Sequence, residues 1–218
     1  MSSLSSYIDH TNLSPLVLSS DVKILCEEAI EHNFASVCIN PFYVSYANSI
    51  LKDEKPKICS VVGFPLGADP EEMKYAEARF LIFQGADEID MVMNIALLKE
   101  RKIDLVKKEI KKVVEAADGN CVKVIIEASS LDQDEKILAC NIVMQSGAAF
   151  IKTSTGFSSS GATLEDVKLI KKIVGDRIGI KASGGVKTKN EALEFIKAGA
   201  SRIGTVSYTH LTLPTTLQ

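Results

Sequence analysis

The chain has 218 residues, of which 46% are hydrophobic and 24% are charged, with a formal net charge of −3. This composition excludes an intrinsically disordered chain, and the slightly acidic balance disfavours a nucleic-acid binder that depends on a strong basic field. No apolar run is long enough to predict a membrane span, and the first residues lack the basic and apolar segments of a signal peptide. We therefore expect a cytoplasmic globular protein of one large domain or two small ones.

The cysteines and histidines form no recognisable metal-binding pattern. The sequence has no C-x-x-C pair and no H-x-x-x-H pair, so we expect neither a zinc site nor a metal cofactor. The five cysteines are odd in number and lie mostly within apolar segments, which is typical of reduced thiols in the cytosol. They are Cys26, Cys38, Cys59, Cys121 and Cys140.

Short apolar segments alternate with longer segments of helical periodicity along the whole chain. In chain order the predicted elements are strand 7–11, helix 20–30, strand 35–40, helix 42–52, strand 58–64, helix 70–85, strand 88–94, helix 97–117, strand 122–128, helix 132–145, strand 150–154, helix 164–174, strand 178–182, helix 189–198 and strand 201–205. Strands that alternate with helices in this way predict parallel βαβ units.

Two architectures accommodate such units, an open doubly wound sheet and a closed (β/α)8 barrel. The open sheet usually carries G-x-G-x-x-G after its first strand, whereas residues 10–15 here contain no glycine. Three helix–strand joints, 84–87, 146–149 and 198–201, share a Gly-Ala pair, which indicates a repeat of βα size. We predict a single-domain α/β protein with a (β/α)8 TIM-barrel fold.

Polar residues within the apolar strands are the candidate functional residues. Because alternate residues of a strand face the same side, Asp90 is predicted to face the barrel interior, with Ile89, Met91 and Met93 towards the helices. Lys152 and Lys181 lie one βα unit apart, so they are predicted to face the interior of adjacent strands at similar height.

Two buried ammonium groups side by side lower the pKa of at least one, and a neutral lysine attacks carbonyl groups to form a Schiff base. Each lysine alone is equally compatible with a strand-end residue whose head group is solvated, and Asp90 alone with a structural ion pair. All three together favour Schiff-base catalysis.

The loops after the later strands have the composition of a phosphate site. Segments 153–156 and 183–186 offer hydroxyl and backbone N–H groups, and Gly204 and Thr205 in the last strand extend this set. Barrels of this kind often bind phosphate near their seventh and eighth strands.

Eight segments in order along the chain carry a resemblance to a known family. They are 8–11, 37–41, 61–67, 85–92, 122–127, 150–157, 179–186 and 202–205. Through them the chain resembles the deoxyribose-phosphate aldolases, which are class I aldolases without a metal or organic cofactor. The resemblance implies reversible cleavage of 2-deoxy-D-ribose 5-phosphate to acetaldehyde and D-glyceraldehyde 3-phosphate, and a homodimer or homotetramer without nucleic-acid or membrane partners.

The resemblance also implies a role for each matching residue. Lys152 forms the Schiff base, Lys181 perturbs it and assists proton transfer, and Asp90 serves in the proton relay. The expected substrate-binding and phosphate-binding positions are Asp9, Thr11, Cys38, Thr155, Gly156, Gly184, Gly185, Gly204 and Thr205.

The match ends after Thr205, where relatives continue into an eighth helix. Residues 206–218 are rich in threonine, contain Pro214 and show no helical period. We expect a barrel domain of residues 1–205 whose last helix is missing or replaced by an atypical tail of frame-shifted or vector-derived sequence. Two other functions stay open: a metal-independent phosphosugar isomerase on the same fold, and an inactive phosphosugar-binding remnant.

Overall fold

Eight parallel strands close into a barrel in the computed structural model, which describes residues 4–206. Each strand pairs with the next, and the last pairs with the first. The strands are β1 (Ile8–Asn12), β2 (Ser36–Ile39), β3 (Lys57–Val62), β4 (Glu88–Val92), β5 (Cys121–Ile125), β6 (Phe150–Lys152), β7 (Gly179–Ser183) and β8 (Arg202–Thr205). The predicted (β/α)8 architecture is confirmed, and the open doubly wound sheet is excluded.

Helices follow the first seven strands. They are α1 (Ser19–His32), α2 (Val44–Leu51), α3 (Glu71–Phe83), α4 (Ile95–Lys99), α5 (Ile103–Ala116), α6 (Gln133–Met144), α7 (Leu164–Val174) and α8 (Lys189–Ala198). None of the helices within residues 4–206 is long and apolar enough to cross a membrane. The predicted tail at 206–218 lies outside the described residues except for the exposed Val206, so the division into a barrel of 1–205 and a tail stays a prediction.

The single helix predicted at 97–117 is wrong, because the structure has two helices there. Asn94 caps α4, its side chain accepting a hydrogen bond from the Leu97 N–H at 3.1 Å. Arg101 adopts a left-handed conformation with φ of 57°, which ends the first helix before α5 begins at Ile103. No glycine or proline marks this break, so the sequence pattern alone does not reveal it.

Strict alternation divides the strand residues between two environments. Outward-facing apolar side chains pack against the helices, including Ile89, Met91 and Met93, as predicted. The inward side chains are mostly polar, apart from a small apolar cluster of Leu13, Cys38, Cys59 and Val61 with Phe64. Because both faces are covered, most charged residues of these strands are buried, the exceptions being Lys57 and Arg202 at the starts of β3 and β8.

A buried ion pair fixes the loops that follow β3 and β4. Lys74 of α3 is fully buried, and its Nζ donates to Glu109 Oε2 at 2.8 Å, the Gly67 carbonyl at 2.8 Å and the Val92 carbonyl at 2.9 Å. The second oxygen of Glu109 accepts the Asn94 N–H at 2.6 Å. Through these contacts one ammonium group links α3, α5, the loop at Gly67 and the end of β4.

We expect Lys74→Met to lower the free energy of unfolding by about 3–5 kcal/mol, because Glu109 then keeps a buried charge without its partner. Urea unfolding followed by circular dichroism measures the change. A second replacement, Glu109→Gln, removes that charge and is expected to restore part of the loss. A single-variant cost below about 1 kcal/mol would show that the pair is not a stabilising unit.

Candidate active site

Asp90 lies at the centre of the charged interior. Its Oδ2 accepts hydrogen bonds from Lys152 Nζ at 2.8 Å and Lys181 Nζ at 2.7 Å. Its Oδ1 accepts from Lys123 Nζ at 3.0 Å and from the Cys59 thiol at 3.2 Å. The three residues predicted to be catalytic therefore meet at one carboxylate, with two further side chains that were not predicted.

Strand register explains why these side chains lie at one height. Asp90 of β4 pairs with Lys123 of β5, and Lys152 of β6 pairs with Lys181 of β7. In parallel strands, residues paired in this way project side by side on the same face. The closure of the barrel then brings β4 and β7 within reach across the interior.

A second set of ion pairs lies beside the first. Lys181 Nζ is 2.6 Å from Asp9 Oδ2, and Arg202 donates through Nε to Asp9 Oδ1 at 2.7 Å. Arg202 also donates through Nη2 to both oxygens of Glu88, which pairs with Lys123 as well. Asp9 thus holds Lys181 from the side opposite Asp90.

The carboxylates keep Lys123 and Lys181 charged. Burial raises the pKa of Asp9 and of Asp90, but the surrounding lysines outweigh it and hold both values well below the ordinary range. Burial acts in the opposite sense on Lys123 and Lys181, yet carboxylates raise the pKa of each. The lowered pKa expected for at least one of the two lysines is not found at Lys181, because Asp9 and Asp90 outweigh the like charge.

Charge balance distinguishes Lys152 from the other cations. Three buried carboxylates face three other cationic side chains in the network, namely Asp9, Glu88 and Asp90 against Lys123, Lys181 and Arg202. These three carboxylates and three cations balance one another without Lys152. Lys152 contacts Asp90 alone among the carboxylates, and its side chain is 3% exposed.

The depressed pKa of Asp9 has a consequence for acid stability. A carboxyl whose pKa is lower in the folded than in the unfolded chain stabilises the folded state at pH values above its unfolded pKa of 3.8. That contribution is lost as the pH falls through the folded-state pKa. Asn at position 9 cannot titrate. We therefore expect the difference in free energy of unfolding between the wild type and Asp9→Asn to shrink below pH 3.8. Urea unfolding from pH 7 to pH 3 tests this, and a constant difference would contradict it.

Most predicted binding residues lie in the later half of a strand or in the loop after it, as expected for this fold, whereas Asp9 is the second residue of β1. Gly184 has a φ of +83°, and a side chain at Gly161 would collide with its carbonyl, so these two backbones approach closely. A side chain at Gly204 would contact Ser183 and Lys181, so glycine there leaves the interior open. Thr205 donates its hydroxyl to the Val186 carbonyl at 3.0 Å, which secures the loop after β7.

Other predicted binding residues make local contacts. The Thr11 hydroxyl donates to the carbonyl of Asp9 at 2.9 Å, and Cys38 lies directly beside Cys59 in the register of β2 and β3. Gly156 is exposed in the loop after β6.

Glu127, which the sequence analysis did not single out, positions the loop after β6. It is buried, with a left-handed φ of 47°, and its Oε2 accepts from the Thr155 hydroxyl at 2.5 Å and N–H at 3.2 Å. Thr155 Oγ1 in turn accepts the Phe157 N–H at 3.1 Å. The predicted binding residue Thr155 is therefore held by a carboxylate from the neighbouring strand.

Lys123, Arg202 and Cys59 were also not predicted. Lys123 interrupts the apolar segment 122–126 in the same way that Lys152 and Lys181 interrupt theirs, so the alternation rule was sufficient to find it. Arg202 and Cys59 carry no comparable signal, because their roles depend on barrel closure and on strand register.

The chain is similar to known aldolases over most of its length. The profile of the "DeoC/LacD family aldolase" group matches residues 4–207. A deoxyribose-phosphate aldolase from Caldicellulosiruptor saccharolyticus is 54% identical over 94% of each chain, and one from Thermococcus gammatolerans is 50% identical over 94% of this chain and 92% of its own. A solved structure described as "QR15, an Aldolase" superposes with a TM-score of 0.93 at 39% identity, covering 97% of this chain and 95% of its own. The deoxyribose phosphate aldolase of Aeropyrum pernix, described as having a tetrameric structure, has a TM-score of 0.90 at 34% identity, with coverage of 95% and 88%.

Proposed function

Since the chain belongs to the DeoC/LacD family of aldolases, we propose that it is a deoxyribose-phosphate aldolase of class I in which Lys152 forms the Schiff base. The main support for this role of Lys152 is its contact with Asp90 at 2.8 Å. The other cations of the network are already paired with carboxylates. The substrate is 2-deoxy-D-ribose 5-phosphate, and the products are acetaldehyde and D-glyceraldehyde 3-phosphate.

The reaction begins when neutral Lys152 attacks the C1 aldehyde of the open-chain sugar. The resulting carbinolamine loses water and becomes an iminium ion, which withdraws electrons from the adjacent carbon. Removal of the C3 hydroxyl proton then breaks the C2–C3 bond, releasing D-glyceraldehyde 3-phosphate and leaving an enamine on Lys152. Protonation of C2 and hydrolysis of the iminium release acetaldehyde and regenerate the amine.

Asp90 and Lys181 are suited to the proton transfers. Asp90 Oδ2 accepts hydrogen bonds from both Lys152 and Lys181, so it joins the reacting nitrogen to a group that stays protonated. Asp9 holds Lys181 from the other side at 2.6 Å. General acid–base assistance of this kind contributes about 10²–10⁴-fold to a rate.

The phosphate is proposed to bind at the loops after β6 and β7 and at the end of β8. Gly156, Gly184, Gly185 and Gly204 offer backbone N–H groups there, and left-handed glycines such as Gly184 and Gly185 direct such groups into concave anion sites. Thr11 and Cys38 are proposed to line the sugar near Lys152.

The assay that tests the proposed activity follows cleavage of 2-deoxy-D-ribose 5-phosphate by reducing each product enzymatically with NADH. We expect D-glyceraldehyde 3-phosphate and acetaldehyde in equal amounts. Conversion of a phosphosugar to an isomer without acetaldehyde would favour the isomerase, and binding of the phosphosugar without turnover would favour the inactive remnant.

We propose that the protein assembles as a homodimer or homotetramer in the cytoplasm. Large apolar side chains are exposed on and near α2 and α3, namely Phe42, Met73, Phe80 and Phe83. Exposed apolar groups of this size are typical of association surfaces. Light scattering coupled to size exclusion is expected to give twice or four times the chain mass, and a monomeric mass would contradict the proposal.

The free cysteines support the proposed cytoplasmic location, because free thiols are typical of a reducing compartment.

A further inference from the structure

Two cysteines face the interior of the barrel next to the proposed catalytic carboxylate. Cys38 of β2 and Cys59 of β3 are direct partners in the register of these strands, and both are fully buried. Their sulfur atoms and a carboxylate oxygen of Asp90 all lie within 4.8 Å of one another. The proposed mechanism gives Cys59 no chemical step, so this pair calls for a separate explanation.

The surroundings make the two thiols unequal. The neighbouring Cys59 thiol, followed by the positive charges of Lys181 and Lys152, lowers the pKa of the Cys38 thiol to about 7 against the effects of burial and of Asp90. Burial, followed by the neighbouring Cys38 and Asp90, raises the pKa of Cys59. One cysteine is therefore a source of thiolate near neutral pH, and its neighbour remains a thiol within reach. Thiolate is the reactive form of cysteine.

The same atoms do not favour a metal ion. Asp90 already accepts hydrogen bonds from Lys123, Lys152 and Lys181, and Lys123 Nζ also lies 3.5 Å from the sulfur of Cys59. A divalent cation at this position would face these buried positive charges at short range. The ammonium group of Lys181 instead favours a thiolate on Cys38, and a thiolate can react with a small neutral oxidant.

We propose that Cys38 and Cys59 are an oxidisable pair, which hydrogen peroxide converts to a disulfide that blocks the aldolase site. The inhibition rests on the proposed function, whereas disulfide formation does not. The Cys38 thiolate attacks one peroxide oxygen and the O–O bond breaks, giving a sulfenic acid and hydroxide. The Cys59 sulfur then attacks the Cys38 sulfur, the S–O bond breaks, and the hydroxyl group leaves with the Cys59 proton as water. Overall, two thiols and hydrogen peroxide give one disulfide and two waters.

Strand geometry permits this bond and makes it easy to reduce. Neighbouring strands are about 4.8 Å apart, within the Cα separation of roughly 4.4–6.8 Å found in disulfides. Parallel side chains at that spacing are farther apart than the mean Cβ distance of about 3.8 Å in a disulfide, so the bond is strained and reducible by thiols. The disulfide also removes the Cys59 hydrogen bond to Asp90 and moves Cys38, which is proposed to line the substrate.

The experiment treats the full chain with hydrogen peroxide, alkylates the remaining thiols and maps the disulfides by peptide mass spectrometry. We expect a linked pair of peptides containing Cys38 and Cys59, a parallel loss of aldol cleavage by more than tenfold, and recovery of both with dithiothreitol. Cys59→Ala is expected to stop at a sulfenic acid on Cys38, which dimedone traps. Cys26→Ala, which removes a buried thiol of α1 outside the barrel interior, is expected to respond like the wild type.

Two results would overturn the inference. One is the absence of the 38–59 disulfide after peroxide treatment that oxidises other thiols of the folded chain, and the other is full activity with this disulfide formed. The mapping uses no substrate. Lack of aldol cleavage in the untreated protein would therefore refute the proposed function, while the mapping would still decide whether the pair is oxidisable.

Discussion

Lys152→Ala is expected to reduce aldol cleavage by about 10⁴-fold or more, in the range seen when a covalent nucleophile is removed from an enzyme. The amine is the group that forms the iminium, and no other lysine takes its place, since Lys123 and Lys181 are held as ammonium groups by carboxylates. Steady-state cleavage of 2-deoxy-D-ribose 5-phosphate measures the effect.

Two further variants test whether the amine itself is required at position 152 and whether the effect is specific to this lysine. Lys152→Arg keeps a nitrogen side chain beside Asp90 but cannot form a Schiff base, so we expect it to be as inactive as the alanine variant. Lys168→Ala removes an exposed lysine of α7 and is expected to keep wild-type activity. Activity of Lys152→Ala within tenfold of the wild type would contradict the assignment of the nucleophile.

Asp90→Asn is expected to have the second large effect, on both activity and stability. The ammonium groups of Lys123 and Lys181 and the amine of Lys152 contact this carboxylate, so its loss leaves each ammonium group with only one carboxylate partner, Glu88 or Asp9. We expect the free energy of unfolding to fall by about 3–5 kcal/mol. We also expect kcat to fall by about 10²–10⁴-fold, because the proton path between Lys181 and Lys152 is broken.

Glu88→Gln is the matched control for this change. Glu88 faces the same interior from the same strand, but its partners are Lys123 and Arg202 and it makes no ion pair with Lys152. We expect a loss of stability with a much smaller loss of kcat. Equal losses of kcat in the two variants would show that Asp90 acts only as a structural counter-ion.

The alternation of residues along single strands is sufficient to predict which side chains face the barrel interior. Asp90, Lys152 and Lys181 interrupt apolar segments, and alternation with repeat spacing was sufficient to place them in one layer. The same rule applies to Lys123. The order of the eight strands followed from the alternation with helices, because parallel neighbours need a crossover of that kind.

The sequence pattern does not predict contacts that depend on closure of the barrel. Asp9 and Arg202 lie at opposite ends of the chain and meet only because β8 pairs with β1. The raised pKa of Lys181 was not predictable for this reason, since its like-charged neighbour is visible in the sequence and its contact with Asp9 is not. The register that aligns Cys38 with Cys59 was likewise not predictable from either strand alone.

Covalent trapping shows which lysine forms the Schiff base. The protein is incubated with acetaldehyde and sodium borohydride, digested, and the modified peptide is identified by mass spectrometry. Reduction of the iminium is expected to leave a stable ethyl group on Lys152, absent from Lys123 and Lys181 and lost in Lys152→Ala. An ethyl group on another interior lysine, or no adduct in protein that cleaves the substrate, would contradict Schiff-base catalysis by Lys152.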